Sequence, residues 1–354
     1  MTNYIIRRLL IMPIIIFGVS ILIFTMLQLL DPRERAALYV RDIPKNPNAV
    51  QEIITKYGLS DPIPLQYWHW LVGTYDPKTG ETAGGILRGD FGWSRTAQRP
   101  VAEAILYYFP GTLELALLSI VPIILGGIWL GVSAAVHQNK FIDQFARVFA
   151  IVGYSFPTFV FGLLMLLIFY ANLQWLPPGR LSDWANNLVN SSEFTRYTGM
   201  NIVDGLLNGR PDVALDAVQH MILPVLTLSY LSWALILRVT RSSMLEVLRQ
   251  EYVTVARAKG LAESVVINKH ALRNALIPVA TIGGLTFAGL LHGVVITETV
   301  FNYRGIGWFA ANSALRLDVV SVLGFTFISG IVFVSANLLV DILYGFLDPR
   351  VRLQ

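Results

Sequence analysis

The chain has 354 residues, 54% of them hydrophobic and only 14% charged, against about 45–50% and about 25% in ordinary soluble domains. That balance describes a membrane protein, so length alone misleads about domain count. The formal net charge is +4, from 27 Lys/Arg and 23 Asp/Glu, and cysteine is absent, which excludes disulfides, thiolate metal sites and cysteine catalysis while leaving the redox compartment open.

A bilayer core of about 30 Å takes roughly 20 helical residues at about 1.5 Å each. Six stretches reach that length, at about 9–30, 112–136, 148–173, 220–237, 276–297 and 319–346. The first follows Arg7-Arg8, is longer than the usual signal-peptide core of about 7–15 residues, and ends in Leu-Asp-Pro-Arg without a small-residue cleavage pattern; it reads as an uncleaved anchor. Residues 31–105 form an insertion with mixed charge, many prolines and the aromatic cluster Tyr67, Trp68 and Trp70. Those aromatics suit ligand contact, an interfacial belt or a small local core. Within the insertion, "GTYDPKTGETAGG" (73–85) reads as turns. Pro13, Pro122, Pro157, Pro224 and Pro278 fall in spans, where neighbouring helices re-satisfy the freed carbonyls. Pro157, close to Gly153 and Gly162, is expected to kink the third span. The loop 174–219, with Pro177-Pro178-Gly179 and an Asn/Ser-rich middle, is expected to hold short helices.

The most polar stretch between apolar spans is "EYVTVARAKGLAESVVINKHALRNALIP" (251–278). From Ser242 to Lys259, Leu245, Leu248, Tyr252 and Val255 fall at i, i+3, i+7 and i+10, one stripe of a helix. Gly260 supplies a stop for it, and a second helix resumes near Ala262 and runs through Pro278 into the fifth span. The expected product is a hairpin of two short helices lying along one membrane surface. Two readings fit it. One is a basic juxtamembrane loop that fixes topology and meets anionic lipid, each Lys/Arg contributing about 1 kcal/mol near the surface. The other is a docking site for a soluble partner, which the small residues Ala256, Ala258 and Gly260 would admit closely.

Orientation follows the basic residues. Thirteen Lys/Arg fall near the N-terminus, between spans two and three, in the 238–273 region and at the C-terminus, whereas the loops 174–219 and 298–318 hold five. The other nine lie in 31–105, too long a loop for the rule to weigh. Both termini and the polar hairpin are therefore expected on the cytoplasmic side.

Several chemistries lack their residues. No lysine follows a glycine, so a phosphate-cradling Gly-Lys-Ser/Thr loop is absent. The five histidines form no i, i+4 pair and no Gly-x-Ser-x-Gly elbow occurs. No catalytic or metal-ligating set is expected, and nothing points to nucleic acid. Glu114, His292, Glu298 and Asp341 are the ionisable residues in or near spans. Such groups line a pathway or are packed and hydrogen-bonded; His292 is a pathway candidate, while Asp341 and Glu298 also suit helix packing or loop holding.

"EYVTVARAKGL" and "HALRNALIP" resemble the cytoplasmic signature loop of ABC-importer permeases, in the form of the dipeptide/oligopeptide/nickel branch. "GDFGWS" (89–94) with "RPV" (99–101), "TLELALL" (112–118), "SFPTF" (155–159), "WLPPG" (175–179), "HMILPVLTL" (220–228), "RSSMLEVL" (241–248), "ETVFNYRGIG" (298–307) and "NLLVDILYGFLDPRVR" (337–352) extend the resemblance in order over most of the chain. It is closest to the B-type permease subunit. The chain departs from the wider superfamily signature at Thr254, where Glu is usual, and in its longer Gly260-to-Pro278 spacing; both resemble the peptide-branch variant. Ala262 stands where many relatives have a Ser able to cap the second helix, a substitution that costs about 1 kcal/mol, leaving Ser264 to cap one turn later.

The resemblance implies an all-α membrane protein of six transmembrane helices with the type I ABC importer permease fold. Its parts would be the first helix (1–30), an extracytoplasmic insertion (31–105) and a five-helix core (106–354) with a cytoplasmic coupling loop at 239–275. Thr254, Ala256, Ala258, Lys259, Gly260, Leu261, Glu263 and Asn268 would contact the ATPases, with 261–269 entering their groove. Ser155, Phe156, Pro157, His292 and Glu298 are the pathway candidates. Implied partners are a homologous C-type permease, two P-loop ATPases that bind the ATP and Mg absent from this chain, an extracytoplasmic binding protein docking on 31–105 and 174–219, and membrane lipid. The setting would be a prokaryotic cytoplasmic membrane and the cargo di- or oligopeptides, with nickel or oligosaccharides as the branch's other substrates. An ion-gradient-driven secondary transporter and an intramembrane enzyme are the alternatives.

Overall fold

The computed structural model describes residues 2–36, 38, 47–76 and 80–347. Five helices are long and apolar enough to cross a membrane, at Ile6–Leu27, Val101–Val136, Pro211–Val247, Glu263–Leu291 and Val319–Ile342; a bent pair, Phe141–Ser155 with Thr158–Asn172, completes six when taken as one span. In chain order the elements begin with α1 (Thr2–Leu27), α2 (Pro32–Ala36), α3 (Pro47–Lys56) and α4 (Ile63–Val72). Two short antiparallel pairs follow, β1 (Thr74–Asp76) with β2 (Glu81–Ala83) and β3 (Trp93–Ser94) with β4 (Arg99–Pro100). The stretch expected to be turns therefore contains the β1–β2 pair.

α5 (Val101–Val136) and α10 (Pro211–Val247) are 36 and 37 residues long, more than a bilayer core requires, so both project beyond it. Between them lie α6 (Phe141–Ser155), α7 (Thr158–Met165) with a π-helical end at Leu166–Asn172, α8 (Asp183–Val189) and α9 (Asn201–Leu207). The last two are the short helices expected in the 174–219 loop. Beyond α10 come α11 (Glu251–Ala258), α12 (Glu263–Val265), a π-helical turn at Val266–Ala271, α13 (Leu272–Leu291), α14 (Val295–Val300), α15 (Ile306–Leu315) and α16 (Val319–Leu347).

α10 is the central post, packing on α5, α6, α9 and α13. Its closest approach to α5 depends on missing side chains. A Cβ at Gly127 would sit 2.5 Å from Ile236 Cβ, and one at Gly131 2.5 Å from Thr240 Cβ. Two glycines four residues apart therefore face two residues four apart, the small-residue solution to helix packing in a medium where apolar burial offers little drive. The main core surrounds this seam and includes Leu115, Ile123, Met221, Leu223, Ile236 and Val279.

The third span is broken, not merely kinked: α6 and α7 meet at 101°. Pro157 explains the break, because it removes an N–H and pushes the preceding residue out of the helical region. Phe156 accordingly has φ −78° and ψ 130°.

The insertion packs as a small annex on α1 and α16. The Tyr67 and Trp70 rings lie 5.2 and 5.6 Å from the Phe24 ring of α1, and Tyr67 Oη is 2.7 Å from Ser20 Oγ. Local packing is thus the role of these two aromatics, whereas Trp68 is exposed. Arg35 is buried, donating to the Oε1 atoms of Gln28 (2.7 Å) and Gln66 (2.6 Å) and to Leu59 O (3.2 Å). The end of the insertion is latched to the start of α16: Asp318 Oδ2 accepts from Ser94 Oγ (2.9 Å), Thr96 N (2.9 Å) and Ser321 Oγ (2.7 Å). Burial alone would push the Asp318 carboxyl up, but these donors outweigh it and hold the group below its ordinary range.

Candidate functional site

The polar hairpin is present and differs from the expected form in one respect. The helix anticipated over 242–259 is two helices, because Gln250 is extended (φ −73°, ψ 148°) between α10 and α11. The break resets the buried face. In α11 the inward residues are Val253 and Ala256, which close on Val266 and Leu248, while Tyr252 and Val255 are exposed. Gly260 has φ +75° with open space around its α-carbon, so backbone conformation rather than crowding selects glycine there. Ala262 is the cap position of α12 without a side-chain cap, and Ser264 lies inside that helix rather than capping it.

Two contacts brace the hairpin. Arg257 donates to both Glu263 oxygens, at 2.7 and 3.1 Å, across the Gly260 turn. Asn274 Nδ2 donates to Tyr252 Oη at 2.8 Å, tying α11 to α13. Beneath, Ala135, Met244, Ala271 and Ala275 form a buried cluster that roots the hairpin on α5, α10 and α13 together. Of the residues singled out for coupling, Thr254, Ala258, Lys259, Gly260, Leu261, Glu263 and Asn268 are exposed. Ala256 is only 7% exposed and serves the hairpin's own core. The π-helical turn at Val266–Ala271 is a local irregularity of the kind frequent at functional sites.

The pathway candidates separate into three places. Ser155, Phe156 and Pro157 occupy the α6–α7 break, where Ser155 and Pro157 are exposed and Phe156 is half-buried, its ring 5.9 Å from Phe161. His292 caps α13, exposed, with its ring 6.2 Å from Phe325 and 6.0 Å from Phe333 of α16. Glu298 is 0% exposed and has no surface to offer a solute. It accepts from Thr112 Oγ1 (2.7 Å) and Trp308 N (2.8 Å), and Thr112 Oγ1 in turn accepts from Ile306 N (2.8 Å). Burial pushes the Glu298 carboxyl up from its ordinary value despite these donors. Gly305 is required beside it, since a Cβ there would lie 2.6 Å from Glu298 Oε2.

Glu114 anchors the adjoining half of the same buried network, at the end of the bundle distal to the hairpin. It accepts from Arg180 Nη2 (3.2 Å), Ile202 N (2.7 Å) and Tyr303 Oη (3.4 Å), while Arg180 Nη2 also donates to Gly199 O (3.0 Å). Among the described residues no group of three or more His, Asp or Glu could hold a metal.

An exposed hairpin rooted on three membrane helices is matched by what the chain resembles. The family model described as "Binding-protein-dependent transport system inner membrane component" matches residues 127–353, and its N-terminal companion matches residues 1–116. The chain belongs to this family of ABC-importer permeases. Among its relatives, a probable D,D-dipeptide transport system permease of Escherichia coli K12 is 37% identical, covering 96% of this chain and 94% of the relative. A di/tripeptide transport system permease of Pseudomonas aeruginosa UCBPP-PA14 is 36% identical over 100% of both chains. A glutathione transport system permease of Salmonella typhimurium LT2 is 34% identical over 99% of both. The permease is a multi-pass membrane protein, and the whole hairpin and its root on α10 and α13 fall within the first matched region.

Some structural residues of the permease went unread in the sequence. Asp143, fully buried near the start of α6, accepts from Arg241 Nε and Nη2 of α10, each at 2.8 Å, and lies 3.3 Å from Arg147 Nε. A lone acid entering an apolar helix with an arginine four residues on was the available signal; Arg241, 98 residues away, was not readable as its partner. Asp341 pairs with Arg8 at 3.1 Å and fastens α16 to α1, in keeping with a packing role.

Proposed function

We propose that this permease forms one half of the translocation pathway of an ATP-driven importer of di- or oligopeptides. A homologous C-type permease would supply the other half. Two P-loop ATPases, holding ATP and Mg, would seat the hairpin 251–271, and an extracytoplasmic binding protein would deliver the peptide. The observation that carries this reading is the hairpin itself: its turn is exposed and braced by Arg257–Glu263, and its base is packed into three long helices. A push on residues 261–269 would pass through that base into α5, α10 and α13. Peptide as cargo is supported by the relatives, which include a probable D,D-dipeptide and a di/tripeptide transport system permease.

In this reading residues 239–275 lie in the cytoplasm with both termini, consistent with the basic residues concentrated there. Residues 31–105 form the extracytoplasmic insertion, and 106–354 the permease core in a prokaryotic inner membrane. Ser155, Phe156, Pro157 and His292 would face the pathway. Reconstitution of the full assembly tests the proposal: uptake of a labelled dipeptide should require ATP and all partners. Gly260→Arg should abolish ATP-coupled uptake while the chain still inserts. Flux through this chain alone, driven by an ion gradient, would overturn the reading. Replacing His292 with Phe should alter peptide preference; unaltered preference would remove it from the pathway.

A further inference from the structure

α6 and α10 leave a trough between them that the coupling hairpin does not use. Asp143 meets Arg241 and Gly153 meets Tyr230, so the two helices run antiparallel. On α10 the apolar run ends at Leu237 and Arg238 follows; on α6, Arg147 precedes the apolar run that begins at Val148. Both helices therefore turn from apolar to basic at one level, the level of a bilayer boundary. The groove at that level has a volume of about 720 Å³, within the range of about 300–1,000 Å³ usual for ligand pockets. Ala150, Ala234 and Leu237 form its floor and belong to one buried cluster; the two alanines lack the side chains that would fill it.

The rim of the groove is basic. Arg147, Arg238, Arg241 and Arg249 line it, against Glu246 on the lining and Asp143 beside it. Four arginines facing two carboxylates leave an excess of positive charge. Arg241 spends Nε and Nη2 on Asp143, which fixes its guanidinium while leaving donors of its five N–H groups to spare. Arg147 shares the same carboxylate. Among the described residues Arg238 and Arg249 make no ion pair, whereas Arg8, Arg180, Arg210 and Arg257 all do. One turn into the apolar run the wall is open: Ile151 lines the groove and is 60% exposed, and Val148, next to Arg147, is 58% exposed. A free phosphate would engage the arginines and leave that wall wet. A phospholipid uses both parts, its phosphate at the rim and its tails on the wall, and basic pockets between spans suit anionic headgroups.

We propose that this groove is a binding site for an anionic glycerophospholipid, its phosphate held among Arg238, Arg241 and Arg249 and its acyl chains against Ile151, so that one lipid bridges α6 and α10. The excess positive charge selects the headgroup, and the exposed apolar wall selects a lipid over a soluble anion. From the preceding reading the inference takes only the side, the cytoplasmic leaflet.

The test uses the complete transporter in phosphatidylcholine nanodiscs doped with phosphatidylglycerol that carries a photoreactive group in its acyl chain. Labelled residues are mapped by peptide mass spectrometry. Label should concentrate on 147–151 and 234–250, and exceed that from an equally reactive phosphatidylcholine at the same mole fraction by at least about tenfold. Excess inorganic phosphate should not displace it. Arg238 and Arg249 are both exposed, so Arg238→Gln with Arg249→Gln should cut the labelling at least about fivefold with the melting midpoint unchanged. Arg238→Lys with Arg249→Lys keeps the charge and should keep most of the label. Equal labelling by the two lipids overturns the proposal, as does a Gln variant that labels like wild type or a Lys variant that loses label as the Gln variant does. Displacement by inorganic phosphate overturns it in favour of a soluble anion. Labelling present in the isolated chain but lost in the complex overturns it in favour of the C-type permease as occupant. A complex that labels as expected yet imports no peptide with ATP refutes the importer reading alone and leaves the lipid site standing.

Discussion

At the distal end, Glu114, Glu298 and Tyr303 are buried, and the two carboxylates are each held by more than one donor. In the hairpin 251–271, by contrast, most side chains face outward and the bracing ion pair, Arg257–Glu263, is itself exposed. One region spends its polar groups on fixing loops to helices; the other leaves them available. Buried charge tolerates no missing partner, since the one left behind stays desolvated, whereas an exposed pair is replaced by water. The distal network therefore behaves as a fixed frame, and the hairpin as a replaceable surface on a fixed root.

The sharpest way to break that contrast is Glu114→Ala, which strands Arg180 and the Tyr303 hydroxyl. A loss of about 3–5 kcal/mol is expected, read as a fall in the thermal midpoint of the assembled complex; an unchanged midpoint would deny the network its role. Gly131→Val comes next, driving a side chain into Thr240 at the α5–α10 seam and costing about 1–3 kcal/mol, measured the same way.

Asp318→Asn should cost about 1–2 kcal/mol, since the residue caps α16 as well as latching the insertion. Its pH dependence has a definite sign. Because the folded carboxyl sits below its ordinary value, its contribution is complete above the unfolded pKa and is lost as pH falls through the lower folded one. The substitution should therefore remove part of the wild type's acid destabilisation, as seen in melting curves from neutral pH downward. At the small end, Arg257→Met should leave the melting midpoint unmoved while reducing ATP-coupled uptake, so that stability and coupling separate in the hairpin as they do not in the frame.

The spans were legible because a bilayer demands long apolar runs, and no local choice hides them. The hairpin turn was legible in Gly260, whose left-handed backbone is what a helix stop requires. The break at Gln250 was not, because the apolar spacing from Leu245 to Val255 happens to continue one helical stripe across it. Placing Ala256 in the hairpin core needed that break. The distal network was the least readable. Glu114 and Tyr303 are 189 residues apart, and Thr112 and Glu298 are 186; only the fold joins them. Glu298 looked like a span-end candidate for the pathway, and its burial behind Thr112 and Trp308 makes it part of the frame instead.

The native chain has no cysteine, so Lys259→Cys places a single reactive thiol at the hairpin turn. Crosslinking from it in the assembled, transporting complex asks directly whether this surface is where motion enters. A short thiol-to-thiol crosslinker should capture an ATPase subunit through a cysteine placed in its facing groove, with a yield that changes when ATP is added. Capture of no ATPase, under conditions where the same complex still imports peptide, would contradict the assignment.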